Sequence, residues 1–224
     1  MSMLSNLELI RRVPLFALLT AAQAESVAGA VVKRRFKRGE NVIEQGEKSH
    51  TLFILLTGRA RVIIADRRGR EVILSTLHPG DYLGEMSLID NQPHGASVRA
   101  EVQTDMLALG RAEFARCLPE NSAMAYTIMK GLVQRLRQAD RKIESLALMD
   151  VYGRVARTLI EFAQTDREGQ LAIRDRLSRQ DIARMVGASR EMVSRVMKDL
   201  EGRGFVETRP DGVILIKEQL SALG

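Results

Sequence analysis

The chain carries one cysteine, Cys117, among its 224 residues. A lone thiol excludes a disulfide framework, a cysteine-rich zinc site and a four-cysteine iron–sulfur site. Histidine is almost as scarce. His50, His78 and His94 lie far apart, with none of the close spacing of a metal motif such as H-E-x-x-H. No metal site and no haem ligand set is therefore expected. Prolines number 5 and glycines 17, which excludes a collagenous chain. No apolar run approaches the roughly 18 residues that a membrane span needs. The first stretch, "MSMLSNLELIRRVPLF", mixes both charges with apolar residues and has no signal-peptide core. Cytoplasm is the expected location, with no membrane partner. Catalytic signatures are missing as well: no Ser/His/Asp set, no paired carboxylates in a shared motif and no Walker-type loop. An enzyme is not expected.

What remains is a globular composition, 45% hydrophobic and 28% charged, with room for one large domain or two modest ones. The net charge of +6 favours a polyanionic partner. That charge is not concentrated at one end. Residues 150–224 hold 13 basic and 12 acidic side chains, and residues 176–203 hold 7 and 4. A nucleic-acid surface in that region must come from local arrangement, not from bulk charge.

Three textures follow one another. Residues 1–30 read as short helices, "NLELIRRVPLFALL" and then "TAAQAESVAGAV", with Thr20 as N-cap. From Val31 to about Ala112 short β-rich runs take over: "TLFILLTG", "ARVIIA", "EVILSTL", "SVRAEV" and "DMLALG", punctuated by glycines. Such spacing predicts an antiparallel sandwich or barrel. "DRRGRE" is a polar hairpin turn between two of the runs. A long helix follows, about Glu120 to Met149. In it Met129, Leu132, Leu136, Ala139, Ile143 and Leu146 alternate in steps of three and four, an a/d heptad seam. The seam is narrow and the opposite face is highly charged, which favours a two-chain coiled coil and hence a homodimer.

The last texture is the most specific. "DVYGRVARTLIEFAQ" is an amphipathic helix, followed by the polar loop "TDREGQ". In "LSRQDIARMVGASREMVSRVMKDLEGRGFVETRPDGVILI", Ser178 and Asp181 form a capping box that opens a helix. Gly187 ends that helix and Ser189 caps the next. Two short helices joined by a glycine turn are the helix-turn-helix pattern. In the second helix Val193, Val196, Met197 and Leu200 make the core stripe. Arg190, Glu191, Ser194, Arg195 and Lys198 take the other side. Arginine pairs with guanine O6 and N7, and glutamate accepts from the cytosine N4 amine. A carboxylate is otherwise a poor choice beside DNA, so Glu191 points to base reading. "FVETRPDGVILI" supplies a hairpin with a Pro-Asp-Gly turn, a wing beside the helices.

In this order, "GEMSLIDNQP", "MDVYGRVARTL" and "VGASREMVSRVMKDLE" make the chain resemble the cyclic-AMP receptor protein / fumarate–nitrate regulator (CRP/FNR) family of bacterial transcription factors. The resemblance implies an α+β fold: a cyclic-nucleotide-binding-type β-roll over 1–118, a dimerisation helix over 119–149 and a winged helix-turn-helix over 150–224. It implies a homodimer on a two-fold symmetric site in double-stranded DNA, with RNA polymerase as a further partner. Arg190, Glu191 and Arg195 match the family's base-reading positions, which implies a GTGA-like half-site. Ser189 and Ser194 share that surface. Arg179 and Lys198, near helix ends, are expected to touch phosphates.

The ligand loop departs from the family. Gly84 and Glu85 match its Gly-Glu pair, where the glycine admits the backbone and the glutamate accepts from a ribose hydroxyl. The Arg-Ser pair that neutralises and bonds the phosphate is here His94-Gly95, followed by Ala96. Arg135 matches the family's helix arginine, but the Thr-Ser pair that meets adenine is Ala139-Asp140. Loss of the phosphate-pairing arginine alone removes roughly 1.5–3 kcal/mol. Two alternatives to family-mode cyclic AMP stay open. The pocket is degenerate and DNA binding is ligand-independent, or the effector is a guanine cyclic dinucleotide, cyclic di-GMP, which is favoured here. Asp140 suits a guanine N1–H and N2 amine, and Arg135 suits O6 and N7 or a stacking role. Surface arginines such as Arg99 are candidates for the second phosphate. No other cofactor is required.

Overall fold

The computed structural model describes residues 5–11, 13–17, 19–117, 122–165, 170–175, 177–217 and 220. The chain divides into two compact units, Met1–Arg135 and Leu136–Gly224.

The first unit opens with α1 (Asn6–Ile10), a 3-10 turn (Pro14–Phe16) and α2 (Ala21–Ala30). Pro14 explains why the first expected helix is broken, since proline starts a helical turn well and continues one badly. Thr20 caps α2 as expected, accepting from the Gln23 amide while Gln23 bonds back to it. The strands are β1 (Val32–Phe36), β2 (Asn41–Ile43), β3 (Thr51–Thr57), β4 (Ala60–Ala65), β5 (Glu71–Leu77), β6 (Tyr82–Leu83), β7 (Ser97–Ala100) and β8 (Thr104–Gly110). Between β6 and β7 lies α3 (Glu85–Asp90), and α4 (Arg111–Cys117) follows β8.

Two antiparallel sheets result, ordered β1-β8-β3-β6 and β2-β7-β4-β5. Between them lies a core that includes Phe36, Phe53, Leu55, Leu77, Val98 and Met106. Phe36 and Phe53 meet there edge to face, with centroids 5.9 Å apart. The outer face of the first sheet is also covered. Leu52 and Ile54 of β3, with Leu107 and Leu109 of β8, pack against Ile10, Phe16, Val27, Phe114, Met124 and Ile128. A strand buried on both faces needs no polar alternation, which is why β3 reads as the unbroken run "TLFILL".

The long helix α5 (Ser122–Leu148) begins in this unit and ends in the other. Its expected start at Glu120, and the expected boundary at 118/119, lie outside the described residues.

The second unit contains α6 (Val151–Phe162), β9 (Gln164–Thr165), β10 (Leu171–Ile173), α7 (Arg179–Val186), α8 (Arg190–Gly202), β11 (Val206–Thr208) and β12 (Ile214–Ile216). The polar loop expected after α6 falls mostly on 166–169, outside the described residues. Val155 and Leu159 of α6, Ile182 and Val186 of α7, and Val193, Met197 and Leu200 of α8 share one core with the sheet β11-β12-β10-β9. Arg154 ties the helices together at their ends. Its Nε donates to the Val186 carbonyl (3.0 Å) and its Nη1 to the Met149 carbonyl (2.9 Å), satisfying acceptors that helix ends leave open.

Candidate effector pocket and nucleic-acid interface

Gly84 begins the candidate effector site. It sits at φ +89°, and a Cβ there would overlap the Thr51 carbonyl oxygen, so only glycine fits. That turn starts α3 and drives Glu85 inward, to 1% exposure. A buried carboxylate needs a partner. Arg135 of α5 supplies one: its Nη1 pairs with Glu85 Oε1, while its Nη2 donates to the Tyr82 carbonyl. The guanidinium also lies over the Tyr82 ring, 5.2 Å from the centroid. Burial pushes the Glu85 carboxyl above its ordinary range, and Arg135 pulls it back. The second oxygen, Oε2, is buried with no hydrogen-bond partner among the described residues.

His94 is buried too, at 7% exposure. Its Nδ1 is 2.9 Å from Ser87 Oγ and its Nε2 2.8 Å from Ser49 Oγ. Burial lowers its pKa, with the Glu47 carboxylate acting against the shift. The neutral ring has one N–H and one bare nitrogen, so it donates to one serine and accepts from the other. The backbone repeats the tie, since the His94 amide donates to Glu47 O (2.8 Å) and the Gly46 amide to His94 O (2.8 Å). His94 thus fastens α3 to the loop before β3. Gly95 is exposed, and Ala96 is half-buried. Arg99 pairs with Glu71 and bonds Asn41.

Glu85 and Arg135 are therefore brought together, beside Gly84, while both His94 nitrogens are taken up by serines. Asp140 is exposed on α5 and belongs to the second unit. Sequence reasoning did not single out Tyr82, Ser49 or Ser87. Nothing in a serine's identity announces a histidine partner 45 residues away.

Along α5 the apolar seam is only partly as expected. Met129, Leu136, Ile143 and Leu146 are exposed. Leu132 is not: it packs on the first unit's own core. Tyr126 and Val133, both exposed, take over the stripe in that half. The helix must satisfy its own β-domain there, so its free face is rotated by one residue.

In the second unit the helix-turn-helix is capped as its sequence indicates. Ser178 and Asp181 form a full capping box, Gly187 is left-handed at φ +65°, and Ser189 Oγ accepts from the Met192 amide (3.2 Å). Arg190, Glu191, Ser194, Arg195 and Lys198 are all exposed on one side of α8. Ser194 Oγ donates to the Arg190 carbonyl (2.9 Å). The Glu191 carboxyl is lowered by its own backbone N–H and the Ser189 hydroxyl, with lesser help from Arg190 and Arg195. Arg179 differs from these. Its Nη2 donates to Glu201 Oε1 (3.0 Å), which also accepts from Thr208 Oγ1 (2.6 Å). One carboxylate so joins the start of α7 and the end of β11 to the end of α8.

Residues 33–121 match the cyclic nucleotide-binding domain family and residues 153–223 the Crp-like helix-turn-helix domain family. The cAMP-activated global transcriptional regulator Vfr of Pseudomonas aeruginosa is 37% identical over 186 residues, 79% of this chain and 86% of that protein. The cAMP-activated global transcriptional regulator CRP of Salmonella typhimurium is 30% identical over 187 residues, 81% of this chain and 88% of that one. Among solved structures, the c-di-GMP responsive global regulator CLP of Xanthomonas campestris superposes with a TM-score of 0.76 at 28% identity. The match covers 88% of this chain and all of CLP. With a β-roll, a long helix and a helix-turn-helix in the same order, the chain belongs to the CRP/FNR family of transcription regulators.

Proposed function

We propose that the protein is a homodimeric, sequence-specific DNA-binding regulator whose effector is a guanine cyclic dinucleotide, cyclic di-GMP. The observation that carries the effector reading is His94. Where the family's phosphate cation is expected, this chain has a buried, neutral imidazole saturated by Ser49 and Ser87. It offers no charge to a cyclic AMP phosphate. The similarity to CLP, a c-di-GMP responsive regulator by its description, supports the alternative. In this reading Gly84 and Glu85 frame the pocket with Gly95 and Ala96, Arg135 stacks on or pairs with a guanine, and Asp140 accepts from guanine N1–H and N2. The similarity to two cAMP-activated regulators favours cyclic AMP instead and makes it the necessary comparison.

The exposed stripe Met129, Val133, Leu136, Ile143 and Leu146 supports the dimer. Arg190, Glu191 and Arg195, helped by Ser189, Ser194 and Lys198, are assigned to a GTGA-like half-site, one per protomer. In this reading the β-roll domain spans 1–118, the dimerisation helix 119–149 and the winged helix-turn-helix 150–224. Function is in the cytoplasm, with RNA polymerase as partner and without catalysis.

A second reading is a degenerate pocket with ligand-independent DNA binding. It is favoured by Arg135, whose guanidinium is already occupied by Glu85 and Tyr82.

Calorimetric titration with cyclic AMP, cyclic GMP and cyclic di-GMP separates the readings. Cyclic di-GMP binding that Asp140→Ala weakens is the expected result. Tight cyclic AMP binding overturns it, and no binding of any nucleotide favours the degenerate pocket. On the DNA side, Arg190→Ala with Glu191→Ala abolishes specific operator affinity. Unchanged affinity in that pair refutes the DNA-reading role.

A further inference from the structure

We infer that Met192 reads a thymine: its thioether packs on the C5-methyl group of a thymine next to the base pairs met by Glu191 and Arg195. The inference rests on the DNA-reading role of α8 proposed above.

Met192 is the third residue of α8, held by the Ser189 cap. In α1, α2 and α7 the same third position carries Glu8, Gln23 or Asp181, and each reaches back to bond the cap residue's backbone. α8 forgoes that bond for an apolar side chain. It is not drawn into the core, where α8 is represented by the fully buried Val193, Met197 and Leu200. Met192 instead stays 44% exposed. It adjoins Glu191 and lies three residues before Arg195, on neighbouring helix surface. The N-terminal half of a recognition helix is the part that enters the major groove. A thioether offers phosphate and base-edge polar groups almost nothing. The groove feature that rewards an apolar side chain is the thymine methyl, and the unbranched, polarisable methionine adapts to such a contact.

The test uses the full chain and a site obtained by selection from randomised duplexes. Each thymine of the selected half-site is then replaced by deoxyuridine, which removes the methyl group alone. One thymine per half-site is expected to show about a fourfold loss of affinity, the worth of one buried methyl-sized group. In Met192→Ala that thymine/deoxyuridine ratio falls to about one, while sensitivity to the guanines is retained. The assignment is overturned if no thymine methyl matters to the unaltered protein, or if the ratio persists in Met192→Ala. Failure of the underlying reading looks different: selection then recovers no sequence, or Arg190→Ala with Glu191→Ala leaves specificity intact.

Discussion

Arg135 and Glu85, 50 residues apart in sequence, form an ion pair that joins the start of α3 to the long helix α5. The pair is asymmetric. Glu85 is almost wholly buried, whereas Arg135 is 38% exposed at its side chain. Removing the arginine leaves a charge where water does not reach. Arg135→Ala is expected to cost roughly 2 kcal/mol, below the usual penalty for a fully buried pair because the arginine is partly solvated. Burial already raises the Glu85 pKa and Arg135 opposes the rise, so the variant raises it further. A carboxyl with a raised folded pKa binds protons more tightly when folded, and its burden lightens as pH falls through that pKa. The deficit of Arg135→Ala, measured by urea unfolding, should therefore shrink from pH 7 towards pH 5. Glu85→Gln in the same background should reduce it at neutral pH.

His94 has the opposite linkage. Its folded pKa is lowered, so the folded state binds the proton less well than the unfolded chain. The His94 contribution to stability is complete above the unfolded pKa of about 6.5. It is lost progressively as pH falls below that value and levels off once pH is below the folded pKa. His94→Gln keeps hydrogen-bonding capacity toward Ser49 and Ser87 without a proton to gain. Its unfolding free energy should change less than that of the unaltered protein between pH 7.5 and 5.5. Equal pH dependence in the two proteins would show that His94 does not titrate across that interval.

The stripe on α5 makes a prediction in which position matters more than composition. Leu136 and Ile143 are exposed, while Leu132 packs on the β-domain core. Leu136→Glu removes apolar burial worth roughly 2 kcal/mol from each protomer of a dimer, about a thousandfold in dissociation constant. Sedimentation should then report single chains at micromolar concentration with the melting temperature of the first unit little changed. Leu132→Glu should do the reverse, lowering that melting temperature while the surviving folded protein still associates.

The seam on α5 is only half legible in the sequence. Heptad spacing fixes which residues share a face, but Leu132 and Val133 differ by one position, and only the β-domain's shape decides which of them faces it. β1, "VKRRF", is hidden for another reason: it is an edge strand with four exposed residues, Lys33 to Arg35 among them, and burial pattern carries no signal there. The helix-turn-helix, by contrast, is written locally. Ser178, Asp181, Gly187 and Ser189 act on backbone within three or four residues of themselves, so their geometry is decided by sequence neighbours. The pocket lies between these extremes. Gly84 and Glu85 are legible from their own turn, but the His94 contacts depend on Ser49, which only folding brings near.

The sequence places both Arg179 and Lys198 on phosphates, and the structure separates their circumstances. Lys198 is exposed on α8, whereas Arg179 is half-buried against Glu201, which also holds Thr208. A lysine that neutralises one phosphate contributes about 0.9 to the slope of log K against log salt. Lys198→Ala should reduce that slope by about 0.9 per half-site while weakening binding to all sequences alike. Arg179 must share its charge with Glu201, so Arg179→Ala should reduce the slope by less. Glu201→Ala supplies the check. Freed of its carboxylate, Arg179 gains weight toward phosphate, and the salt slope should steepen even as the contact between α7, α8 and the wing is loosened. Fluorescence anisotropy titrations from 50 to 300 mM salt measure all three slopes. A Glu201→Ala slope no steeper than that of the unaltered protein would mean that Arg179 serves only to brace the domain.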